Sequence, residues 1–159
     1  MRGRKTKIAP NSVSAWFSGY TKLAEIEHLD YLDTSNATSF MSMFGSCQKL
    51  TELDLSSFDT SNVVNMFGTF MNCSVLENLN VHNWDTSNVE DMQLMFCKCD
   101  KLVTLDLYDF DTNNVISMTR MFFNSTILHT IQVSSLWKTA DEQNNILAGT
   151  NNATITVVE

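Results

Sequence analysis

No apolar stretch in this 159-residue chain approaches the roughly 18 residues a helix needs to cross a bilayer, so membrane insertion is not expected. Glycine is sparse. Gly3, Gly19, Gly45, Gly68 and Gly149 lie scattered, and no loop gathers the glycines that cradle a phosphate. Charged residues make up only 18% against 43% hydrophobic, which excludes a disordered acidic tail and predicts one folded unit with a continuous core. Positive charge is scarce past the start of the chain. Arg2, Arg4, Lys5, Lys7 and Lys22 are half of the ten bases, and only five bases face all 18 acids from residue 23 onward, a net charge of −13. Such a surface repels phosphate backbones, so nucleic-acid binding is disfavoured. Four cysteines, Cys47, Cys73, Cys97 and Cys99, are too few for a disulfide-dependent mini-protein of this size.

The first residues, Met1 to Lys5, resemble the charged start of a secretory signal, but Pro10, Asn11 and Ser12 stand where the apolar stretch should follow. A signal is therefore expected to be absent or already removed.

What the chain does have is a repeat. The segments Asp33-Thr34-Ser35-Asn36, Asp59-Thr60-Ser61-Asn62, Asp85-Thr86-Ser87-Asn88 and Asp111-Thr112-Asn113-Asn114 recur every 26 residues. Each is followed by Phe40, Met66, Met92 or Met118 and, four residues on, by Phe44, Phe70, Phe96 or Phe122. That offset predicts about two turns of α-helix or 3-10 helix. Leu50, Leu76, Leu102 or Leu128 comes next. An alternating apolar pair then predicts a short strand: Leu53 and Leu55, Leu79 and Val81, Leu105 and Leu107, Ile131 and Val133. No such unit can bury its apolar face alone, so equivalent units are expected to stack with like side chains above one another.

The ends fit the same scheme. Val13, Trp16, Phe17 and Leu23 match Phe40, Met43, Phe44 and Leu50 at an offset of 27, an irregular first unit lengthened within Glu27 to Asp30. Residues 153–159 read as a last strand in which Ile155 and Val157 fall 26 residues after His129 and Ile131. The division predicted is a basic extension over 1–12, repeats over 13–136, and a degenerate final repeat over 137–159. The fold class expected is an α/β repeat solenoid: a right-handed stack of about five coils with a narrow parallel sheet and short helical or 3-10 segments.

The string Leu53 to Val63, followed by Met66, Phe70 and Cys73, resembles the BspA-like bacterial leucine-rich-repeat surface proteins, and the resemblance covers roughly residues 13–136. It implies right-handed, leucine-rich-repeat-like coils, a cell-surface or extracellular location, and adhesion to host or microbial surface proteins or glycans.

Among the repeated columns, Asp33, Asp59, Asp85 and Asp111 are expected to accept backbone N–H bonds two or three residues on. A row of Ca²⁺ sites is the alternative, though it needs more oxygen ligands than one per coil. Asn36, Asn62, Asn88 and Asn114 are expected to satisfy buried backbone groups at a tight turn. Cys47, Cys73 and Cys99 share a column with Tyr20 and Ser125 and are read as core packing. Cys97-Lys98-Cys99 has no matching half for a zinc site, and His28, His82 and His129 share no column, so no metal and no cofactor are expected. No nucleophile stands beside a base and an orienting group, so no catalytic residue is expected and the chain reads as a non-enzyme.

The positions the repeat leaves free are the outward side chains of the strands. A polar, acidic face of Glu25, Glu27, Glu52, Asp54, Asn78, Asn80, His82, Thr104, Asp106, Tyr108 and Gln132 is the expected binding surface, with Tyr108 beside His82 as a contact point. Basic or neutral partners suit its charge. A spacer without binding, a cation-dependent adhesive repeat, and end-to-end self-association through the last coil are the competing expectations.

Overall fold

A computed structural model describes residues 7–138 and 146–159. The expectations for residues 1–6 of the extension and 139–145 of the final repeat lie outside the described residues. Where described, the chain is built of short strands and turns: β1 (Glu52–Asp54), β2 (Asn78–Asn80), β3 (Thr104–Leu107), β4 (Thr130–Val133) and β5 (Thr154–Val157). β1 and β2 form one parallel pair, and β3, β4 and β5 form a second parallel sheet. The register is the sequence period itself, with Leu53 opposite Leu79 and Leu105 opposite Ile131, each 26 residues apart.

The predicted helices are absent. The one helix among the described residues is a 3-10 turn, Leu29–Tyr31. Over residues 40–47 alternate N–H groups leave the segment: those of Phe40, Ser42, Phe44 and Ser46 donate to the carbonyls of Asn65, Phe67, Thr69 and Met71 in the next repeat. The intervening Met43, Gly45 and Cys47 donate three residues back to Phe40, Ser42 and Phe44. Ser42 and Ser46 take the left-handed conformation, φ 52° and 62°, as do Leu94 and Lys98 two repeats on. This track of turns repeats every four residues, close enough to the 3.6 of a helix to give the same apolar spacing. An α-helix would spend those N–H groups on its own carbonyls; here half of them tie neighbouring repeats together.

The core runs along these tracks. Phe17, Phe44, Phe70, Phe96 and Phe122 form a file of parallel rings with centroids 5.3, 5.7, 5.5 and 5.5 Å apart. Trp84 packs edge-on to Phe40 and stacks on Phe110, and its Nε1–H donates to the Leu55 carbonyl at 3.0 Å. Phe17 against Phe44 bears out the offset of 27 for the first repeat.

The last repeat keeps its place with a different count. Phe122 and Asn124 donate to Ile146 and Ala148, and β5 pairs with Ile155 opposite Ile131 and Val157 opposite Val133. The strand register is 24, which corrects the alignment by 26 predicted for Ile155 and Val157; the turn-track bonds shorten by one residue, from 25 to 24, and the strand by two. The strand face is also less continuous than expected, because β2 and β3 do not pair. Residues 7–12 of the extension lie against the repeats, where Ile8 bridges to Leu32 and the Asn11 carbonyl accepts the Thr38 N–H.

A candidate binding groove on the strand face

Three corner motifs fix the backbone that carries the site. In each, a short polar side chain accepts the N–H two residues on, as such residues do in turns. Asp33, Asp59, Asp85 and Asp111 accept from Ser35, Ser61, Ser87 and Asn113 at 2.9–3.1 Å. Asn65 and Asp91 accept from Phe67 and Gln93, both at 2.9 Å. At the ends of the strands, Asp54, Asn80 and Asp106 accept from Ser56, His82 and Tyr108. The Ser35 hydroxyl and N–H hold the Asp33 carboxyl below its usual range, and Ser56 does the same for Asp54. The aspartate column therefore has the turn-forming role its sequence suggested, and no group of three His, Cys, Asp or Glu among the described residues could hold a metal ion.

The asparagines differ from expectation. Asn62, Asn88 and Asn114 donate Nδ2 to the carbonyls of Ser35, Ser61 and Ser87 at 2.7–2.8 Å, so they link repeats, but they are exposed and not buried. The buried polar column is the threonine beside them. Thr34, Thr60, Thr86 and Thr112 are at most 3% exposed. Their hydroxyls donate to the carbonyls of Asp59, Asp85, Asp111 and Lys138. Thr86 and Thr112 also accept the N–H of Asp111 and Lys138. The repeated Asp-Thr-Ser-Asn string contained this signal.

The thiols of Cys47, Cys73 and Cys99 are free and buried. Each donates to the carbonyl of a phenylalanine in the preceding repeat, Phe17, Phe44 and Phe70, and Ser125 repeats the bond to Phe96. Burial pushes the Cys47 thiol up to about 11, the Cys73 thiol up to about 12, and the Cys99 thiol well above its ordinary value. These are protonated core groups and poor nucleophiles.

On the outer face, the strands and an overhanging segment of the first repeat enclose an open groove of about 1000 Å³. One wall is Ala24 to Ile26 with Leu29 and Asp30; the other is Thr51 to Asp54, Glu77 to Asn80, Thr104 and Asp106. Of the expected site residues, Glu25, Glu52, Asp54, Asn78, Asn80, Thr104 and Asp106 come together in it. Glu27, His82, Tyr108 and Gln132 are exposed but lie outside its lining. His82 lies against carboxylates, 3.6 Å from Asp106 and 3.5 Å from Asp109, on the side where β2 and β3 fail to pair.

Two residues absent from the expected set are acidic, Asp30 and Glu77. With Glu25, Glu52, Asp54 and Asp106 they give the groove six carboxylates, and among the described residues no lysine or arginine lines it. Ile26, Leu29 and Leu79 are partly buried and supply apolar surface among them. The wall exists because the first repeat is longer: His28 turns at φ 63° into the 3-10 helix, and the chain leaves the course a strand would take. A basic or neutral ligand suits this lining by charge.

No helix among the described residues is long and apolar enough to cross a membrane. The family model described as "Mycoplasma protein of unknown function, DUF285" matches residues 11–146. No curated protein matches the chain, and neither does any solved structure.

Proposed function

The chain belongs to this DUF285 family, and from that premise we propose that it is a non-catalytic recognition module of a microbial surface protein, binding a basic or neutral partner through the strand-face groove. In this reading the repeats wind as a right-handed, leucine-rich-repeat-like solenoid of the BspA-like kind, and the partner is a surface protein or glycan of a host or another microbe. The hydrogen-bond offset that recurs from repeat to repeat supports the winding. One observation carries the binding reading: a partly apolar groove lined by six carboxylates and, among the described residues, no base.

Adhesion tests it. Beads coated with the chain are compared with beads coated with the variant Glu25→Gln, Glu52→Gln, Glu77→Gln, three exposed changes that remove half of the six groove carboxylates with nearly the same side-chain size. The expected result is that attachment to host-cell monolayers falls by about half or more, while the melting temperature stays within about 2–4 °C, the effect of a change of about 1 kcal/mol or less. Attachment unaffected by all three changes removes the groove from recognition and leaves the spacer reading.

A further inference from the structure

We infer that the ligand of this groove is an extended, lysine- or arginine-bearing peptide segment that adds to the free edge of β1 as a further strand; this rests on the recognition reading above.

The edge is defined by the ladder. In a parallel pair, successive residues direct their N–H and C=O groups alternately to the two sides of the strand. The Thr51 carbonyl and the Leu55 N–H bond to β2, which assigns Leu53 to the same side and turns the N–H and C=O of Glu52 and Asp54 the other way. No described residue hydrogen-bonds these four groups. The first repeat would supply the missing neighbour near Ile26, but the turn at His28 carries it into the groove wall instead. Four backbone groups at strand spacing, left open beside a groove, match the main chain of another extended segment, the mode by which peptides add to sheet edges.

Charge selects the occupant. Among the described residues six carboxylates and no base line the groove, so alternate side chains of the added strand that face them gain by being cationic. The open strand of a second copy, β5, carries no base, so it does not supply that cationic side-chain row. Neutral glycans offer no row of amides to the edge.

The probe is a fluorescent heptapeptide alternating lysine with valine, titrated by anisotropy into the full chain. Three comparisons accompany it: the same peptide N-methylated at the amides of one edge, its glutamate counterpart, and the chain variant Glu25→Lys, Glu52→Lys. The lysine peptide is expected to bind more weakly as salt rises from about 50 to about 300 mM. N-methylation of the edge that meets β1 is expected to weaken it about tenfold, by removing two or more backbone bonds. The charge-reversed variant is expected to lose about tenfold or more, and the glutamate peptide not to bind. Binding that ignores N-methylation of either edge overturns strand addition. So does a chain that binds no peptide yet still attaches to cells through the groove, a result that would leave the wider recognition reading standing. A chain that neither binds the peptide nor attaches to cells overturns both.

Discussion

Thr86 makes two hydrogen bonds with one hydroxyl, donating to the Asp111 carbonyl at 2.8 Å and accepting the Asp111 N–H at 2.9 Å, with no exposure to solvent. Thr86→Val keeps the shape and removes both. It removes the partner of two partly buried backbone groups, so chemical denaturation should show a loss of about 1–3 kcal/mol in all. Asn88→Ala removes a bond of similar length, but at an exposed position where water replaces it, and should cost about 0.5–1.5 kcal/mol. The sequence displayed both columns equally well, since each recurs every 26 residues; which one faces inward depends on how the turn is folded, and periodicity does not encode that. The thiol file gives a prediction in pH. Cys47 and Cys73 ionise near 11 and 12 in the folded chain and near 9 when unfolded, so the native state holds protons that the unfolded state releases. Their contribution is intact below about pH 9 and is lost as pH rises toward 11–12, at up to about 1.4 kcal/mol per pH unit per thiol. The triple substitution Cys47→Ser, Cys73→Ser, Cys99→Ser copies Ser125 of the same column. It should retain the carbonyl bonds and flatten that alkaline decline in melting temperature.

At the level of elements, the phenylalanine file and the turn track beneath it hold neighbouring repeats together. Phe70 is fully buried, with a ring on either side at 5.7 and 5.5 Å and Trp84 at 6.1 Å. Phe70→Ala should cost about 3–5 kcal/mol in a denaturant titration, and Phe17→Ala, at a partly buried end with one stacked partner, clearly less. Equal losses at both positions would mean that the file does not act as a connected column. The strands were legible in the sequence because alternation of two is unambiguous over Leu53 and Leu55 or Leu105 and Leu107. The turn track was not. Phe40, Met43, Phe44 and Cys47 have the inward spacing of a helix, and the left-handed residues that distinguish the track include Ser42, Leu94 and Arg120, side chains with no preference for that conformation.

Across the whole molecule, the period predicted which repeat meets which, and the irregularities decided where a ligand could sit. Five of the six groove carboxylates belong to repeated or adjacent positions that counting could reach, but the wall of Ile26, Leu29 and Asp30 depends on a single extra residue in the first repeat. One residue is enough to divert a strand, because its hydrogen-bonding sides alternate and a shift of one exchanges them. The shortened last repeat shows the opposite tolerance, pairing through β5 despite an offset of 24.

The uniform bonding between repeats also bears on how such a chain can change over generations. A duplicate of residues 59–84 would meet the same carbonyls, rings and threonines on both sides as the original does. Recombination between the near-identical Asp-Thr-Ser-Asn stretches could then add or delete whole units, moving the two ends apart by about 5 Å a copy. Reach would become a heritable variable, adjusted in fixed steps while the groove near one end is inherited unaltered.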